Sequence, residues 1–170
     1  MSYDYLSQLP PEAAQRREVF ALFGLAMYHA QCVERQIGIL LATTLNPAFF
    51  RSTSEERERF FDNEFTKTLG RMLATVRSRV TLSPTFESEL EAALERRNWL
   101  AHDYFWLRAH DVLSTKGRDK MIEELKEAAD YLDTVDRQLT GVSERWMAKL
   151  GVDYQSLREK YLREARGEDA

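Results

Sequence analysis

Apolar residues recur at three- and four-residue spacing along almost the whole chain, and helix breakers are scarce, with four prolines and seven glycines in 170 positions. Such spacing marks amphipathic helices, and no convincing strand pattern accompanies it. An all-α fold follows. Pro11 suits a first helical turn, and the helix it begins should run to about Leu45, where Asn46-Pro47 stops it. Its inward stripe reads Phe20, Phe23, Met27, Ala30, Val33, Ile37, Leu40 and Leu41. Ser52 with Glu55, and Thr53 with Glu56, form overlapping capping boxes for a second helix through Phe61, Phe65, Leu69, Met72, Leu73 and Val76. Ser83-Pro84 reads as an N-cap followed by proline at the first helical position, launching a third helix to about His110.

After a loop at 111–118, a fourth helix from about Arg118 carries Ile122, Leu125, Ala129, Leu132, Val135 and Leu139 inward, with Gly141 as a weak point, and persists to Leu150. Gly151 caps it, and Asp153 opens a short final helix containing Leu157, Tyr161 and Leu162. Long helices on short loops predict an antiparallel bundle of four main helices plus a short C-terminal helix. At 44% hydrophobic content the chain is large enough for one core and too short to favour two, so a single domain over 1–170 is expected, with ends fraying at about 1–10 and 165–170.

Cys32 is the only cysteine, which leaves neither a disulfide framework nor a cysteine-based zinc site; it reads as a small buried side chain. Residues 1–11 show no basic leader with an apolar core, and no apolar run approaches the roughly 20 residues of a membrane span. A soluble cytoplasmic protein is expected. Its net charge of -4 excludes a surface coated in positive potential, so any nucleic-acid contact must be local.

The third helix departs from this plain pattern. Leu90, Ala93, Leu94, Leu100, Ala101, Tyr104, Phe105 and Leu107 cluster on one arc, and Arg97 falls near its middle. A guanidinium there must find an acceptor or reach water, because an unpaired buried charge costs several kcal/mol. A second arc carries Asn98, Trp99, His102 and Trp106, a face for another helix or a second subunit to cover. On an ideal helix Arg97 and His102 diverge by about 140°. Aiming both at one target requires the arginine to reach around, the helix to be distorted between them, or two copies to build a composite site across a twofold axis.

Arg97, Asn98 and His102 form an arginine, a polar residue and, after three more positions, a histidine on a late helix. With 18 arginines, 3 histidines and 3 asparagines, chance supplies only about 0.006 such triplets. The motif resembles that of the HEPN superfamily (higher eukaryotes and prokaryotes nucleotide-binding). The long first helix and Thr68-Leu69-Gly70 also resemble compact prokaryotic members. The resemblance implies a helical bundle acting as a homodimer, and in many members a metal-independent ribonuclease serving as a toxin or antiviral-defence effector. Other members have lost catalysis and only bind RNA, a nucleotide or a partner protein. It assigns Arg97 to the phosphate, His102 to proton transfer and Asn98 to orienting either group, with no cofactor and no metal. Tyr104 extends the match to members whose tyrosine is adenylylated by a minimal nucleotidyltransferase antitoxin; plain aromatic packing is the competing role for it.

Other polar residues carry weaker signals. Glu34 offers Arg97 a carboxylate partner, in which case the arginine is structural, although a solvated edge is the commoner place for such a residue. Arg96 and Arg71, with Arg77, Arg79 and Arg108, could guide RNA or simply face solvent. His29 and His110 lack neighbours at ligand spacing. A third class of protein, a helical assembly unit sealed by Trp99 and Trp106, accounts for the aromatic residues without any chemistry.

Overall fold

A computed structural model describes residues 10–46, 49, 52–65 and 69–168. The described residues are predominantly helical, without a strand. Helix α1 spans Pro11–Leu45, α2 Ser54–Phe65, α3 Leu69–Arg77, α4 Pro84–Asn98, α5 Tyr104–Leu107, α6 Thr115–Lys149 and α7 Tyr154–Arg166. A π-helical turn at Trp99–Asp103 links α4 to α5, and a 3-10 turn at Asp111–Leu113 precedes α6. No helix among the described residues is long and apolar enough to cross a membrane.

The chain gathers into two compact units. One joins the chain up to Glu34 with Leu82–Asp136, and the other joins Arg35–Thr81 with the chain from Arg137 onward. Two of their boundaries fall inside α1 and α6, and the third between α3 and α4.

Several helix ends follow from local chemistry. Pro11 opens α1, with the Pro10 carbonyl accepting from the amides of Ala13 and Ala14 at 2.9 and 3.0 Å. The Thr53 hydroxyl accepts from the Glu56 amide while the Glu56 carboxylate accepts from the Thr53 amide, the reciprocal pair that a capping box requires. The end of α6 is a Schellman turn: the Val152 amide donates to the Met147 carbonyl and the Gly151 amide to that of Ala148, with Gly151 at φ 71°. Asp153 then caps α7, its Oδ1 accepting from the amides of Gln155 and Ser156.

The stripes differ from expectation in their detail. On α1, Leu41 is buried as expected, as are Ala42, Thr43 and Thr44 beside it, while Phe20 is 54% exposed; the buried stripe that leads up to them is Val19, Ala26, Ala30, Val33, Ile37 and Leu40. Together with half-buried Phe23 this is an unbroken four-three alternation, which Val19 continues and Phe20 does not. Helix α6 starts at Thr115, three residues earlier than the sequence suggested, because Ser114 supplies the cap by accepting from the Gly117 amide at 3.0 Å. It passes through Gly141 without ending. The second predicted helix appears as α2 and α3; Thr68, between them, lies outside the described residues, as does Pro47.

Gly117 is where the 3-10 turn closes against the first turn of α6, and a Cβ there would stand 2.2 Å from the Asp111 carbonyl oxygen. At Gly70 on α3 a Cβ would meet nothing within 4 Å. Gly117→Ala should therefore lower the unfolding free energy by about 2–3 kcal/mol. Gly70→Ala should raise it by about 0.5 kcal/mol. Urea denaturation of the two variants beside the parent checks the pair.

Candidate functional site

The site lies in the first unit and is built outward from α4. The Ser83 hydroxyl accepts from the Phe86 amide at 3.2 Å, and Pro84 occupies the first turn, so the start of the helix is fixed as its sequence demands. From there Phe86, Leu90, Ala93, Leu100 and Tyr104 are buried. Arg97 takes the one place in that alternation held by a charge. Its Nε pairs with the Glu34 carboxylate of α1, and its Nη1 donates to the Asn98 amide oxygen at 3.1 Å. The structure therefore brings Arg97, Asn98 and Glu34 together at the edge of the buried stripe. Glu34 is the partner that sequence spacing offered without deciding.

Between Arg97 and His102 the helix changes character. The Tyr104 amide donates to the Trp99 carbonyl five residues back, closing a π turn. A turn closed over five residues advances each by less than the 100° of an α-helix, so the directions of Arg97 and His102 approach each other. Of the three geometric routes open to these residues, helix distortion is present. His102 is exposed within the turn. Among the described residues no hydrogen bond or ion pair joins it to Arg97 or Asn98.

The extra residue also separates two tryptophans that a regular helix would hold about 20° apart. Trp99 is half-buried and meets Tyr104 edge-on, with centroids 4.8 Å apart, whereas Trp106 is 84% exposed. The single aromatic face expected from Trp99, His102 and Trp106 is split. Ala101 and Leu107 leave the apolar arc for the same reason and are exposed.

Tyr104 is a packing residue. It has no exposed surface, stacks on Phe23 at 5.9 Å, and donates its hydroxyl to the Met121 carbonyl at 3.3 Å. Burial, reinforced by the Glu124 carboxylate, drives its hydroxyl well above the usual phenol range. A hydroxyl so enclosed presents nothing to a modifying enzyme or to RNA.

The basic residues divide similarly. The guanidinium of Arg96 lies 4.5 Å from the Tyr131 ring centroid, and Arg108 binds both carboxylate oxygens of Glu124 at 2.8 and 2.7 Å. Hydrogen bonding to that carboxylate raises the Arg108 pKa further. Arg71 is exposed on α3, in the other unit. Arg118, which the sequence offers only as a helix start, is 1% exposed and satisfied by the side chain of Gln15, the Val112 carbonyl and the Thr115 hydroxyl. No periodicity could single it out, since it stands in the first turn of α6 beside other charged residues.

Away from this site, His29 stands 3.8 Å from Asp133, and His110 is exposed. Asp136 is half-buried with one carboxylate oxygen lacking a hydrogen bond, and desolvation raises its pKa against the lowering influence of His29. Burial likewise raises the Cys32 thiol, opposed by a hydrogen bond with Tyr28.

Set beside known proteins, the chain matches no family model, none of the curated proteins and none of the solved structures.

Two stability measurements follow. Glu34→Gln should cost about 1 kcal/mol, since it leaves a partly screened Arg97 without its counter-charge. Asp136 has a folded pKa raised above the unfolded value, so the folded state binds the extra proton and stability falls as pH rises from about 4 through the folded pKa. Asp136→Asn should therefore stabilise by roughly 0.5 kcal/mol at pH 7, with the gain vanishing below about pH 4, as urea midpoints across that range would report.

Proposed function

We propose that the chain is a HEPN-like antiparallel helical bundle that works as a homodimer and cleaves RNA without a metal. The site comprises Arg97, Asn98 and His102 from both subunits. The observation that carries this reading is the π turn at Trp99–Asp103. Such turns are rare, collect at functional sites, and here interrupt the helix between the two residues that the motif asks to cooperate. The exposure of His102 and the fixed placement of Arg97 by Glu34 and Asn98 support it.

In this mechanism the His102 imidazole takes the proton of an RNA 2′-hydroxyl, and the oxygen attacks the adjacent phosphorus. The bond to the 5′ oxygen breaks, and that oxygen receives a proton from the imidazolium of the second copy. Arg97 offsets the charge that builds on the phosphoryl oxygens, through the guanidinium nitrogens that Glu34 leaves over. The products are a 2′,3′-cyclic phosphate and a 5′-hydroxyl. Phe20, Trp106, Leu107 and Leu113 give a second copy exposed apolar surface to cover. Tyr104 stays outside the proposed site, and a role for Arg96 or Arg71 in guiding RNA is not needed by it. A toxin or antiviral-defence role, with or without an antitoxin, rests on the motif's resemblance alone.

The Glu34 carboxylate on Arg97 favours a second reading, since it offsets the charge that a phosphate would use. In that reading the same surface binds RNA, a nucleotide or a partner protein and does no chemistry.

Labelled RNA incubated with the purified protein in EDTA should yield fragments ending in 2′,3′-cyclic phosphate. His102→Ala and Arg97→Ala should each lower the rate by at least about a hundredfold with unchanged circular dichroism. Deleting exposed Ala101 removes the additional residue of the π turn; the helix should then close as a regular one, keeping its stability and losing cleavage. Full activity in the His102 variant would sink the mechanism. RNA binding without cleavage would select the second reading, and neither binding nor cleavage would leave a helical assembly protein.

A further inference from the structure

The second unit contains a cleft that the RNA reading does not use. It encloses about 440 Å³ and is lined from α1, α2, α6 and α7 of that unit. This volume is the size of a small-molecule site. Phe49, Phe61 and Met147 are buried along it, and Ile39 and Leu157 are half-buried, so its interior is apolar.

Its charge is unusual for this chain. Three arginines, Arg35, Arg57 and Arg158, stand on the lining against one carboxylate, Glu58, although the whole chain carries a net charge of -4. Two of the arginines are held in place. The Arg57 guanidinium donates to the Ser52 carbonyl, and that of Arg35 lies 4.5 Å from the centroid of the Phe61 ring. Arg158 is exposed on α7 and, among the described residues, makes no hydrogen bond or ion pair.

We propose that this cleft binds an amphipathic organic carboxylate. The apolar body lies against Phe49, Phe61 and Met147, where it replaces water that finds few polar partners. The carboxylate sits at the water-facing side, taken by Arg158 with Arg35 beside it. Guanidinium nitrogens match the two oxygens of a carboxylate in a planar fork, and the positive excess on the lining selects an anion over a cation or a neutral amphiphile. Glu58 opposes the headgroup and tunes the affinity downward.

Dodecanoate, dodecanol and dodecyltrimethylammonium, each titrated calorimetrically into the full chain below its micelle concentration, test the proposal. Dodecanoate should bind one to one, dodecanol at least about tenfold more weakly, and the cation not at all. Arg158→Gln and Arg35→Gln should each weaken dodecanoate binding about tenfold, the loss of one charge-assisted contact, and leave dodecanol binding unchanged; Arg158→Gln should also leave the unfolding midpoint unchanged. Glu58→Gln should strengthen it a few-fold. Leu157→Trp, which fills the cleft, should remove binding of both. Equal affinity for carboxylate and alcohol, indifference to both arginine substitutions, or no binding of dodecanoate would each overturn the assignment.

Discussion

A cation set into an apolar helical stripe has to be neutralised where it stands, and the first unit is arranged around that demand. Arg97 interrupts the buried run from Phe86 to Tyr104, and Glu34 of α1 supplies the counter-charge. The pair joins α4 to α1 through a half-buried polar contact at the edge of the buried stripe. Apolar contacts are non-directional, whereas a guanidinium and a carboxylate pair over a narrower range of geometries, so this contact favours one register of the two helices. Phe23 of α1 and Tyr104 of α5 stack with ring centroids 5.9 Å apart, a second contact between α1 and the segment that follows α4.

Much of the helical layout was legible because it depends on neighbours in sequence. Ser83-Pro84, Gly151 and Asp153 act within a few residues of themselves, and each does in the structure what its chemistry dictates. Stripe membership was legible only in part. Val19 and Phe20 are adjacent and both apolar, so periodicity alone admits either, and the four-three alternation with Phe23 and Ala26 decides for Val19. Ser114 is a cap as local as Ser83, its hydroxyl accepting from the Gly117 amide three residues on, but no apolar residue stands in the turn that follows to mark the helix start there.

The candidate site was less legible than the helices that carry it. Arg97, Asn98 and His102 stood out by spacing, and the divergence of Arg97 and His102 called for an arginine that reaches around, a distorted helix or a second copy. Nothing in Trp99-Leu100-Ala101-His102-Asp103 announces a π turn, because the hydrogen bond that defines it trades one carbonyl for the next at little local cost. The pairing of Arg97 with Glu34 joins residues 63 positions apart, which no single-helix reading can choose. Tyr104 illustrates the converse: its place in a motif drew notice, and its burial under Phe23, Trp99 and the Met121 carbonyl accounts for it by packing.

The separation of the tryptophans has an optical consequence. The chain holds only three of them, and Trp106 stands almost wholly in water while Trp99 is sheltered against Tyr104. An indole in water emits at longer wavelength than one in an apolar setting, so Trp106 is a built-in reporter for the α5 surface. Anything that covers this surface, whether a second copy or another macromolecule, will shift the intrinsic emission to the blue without a label having been attached.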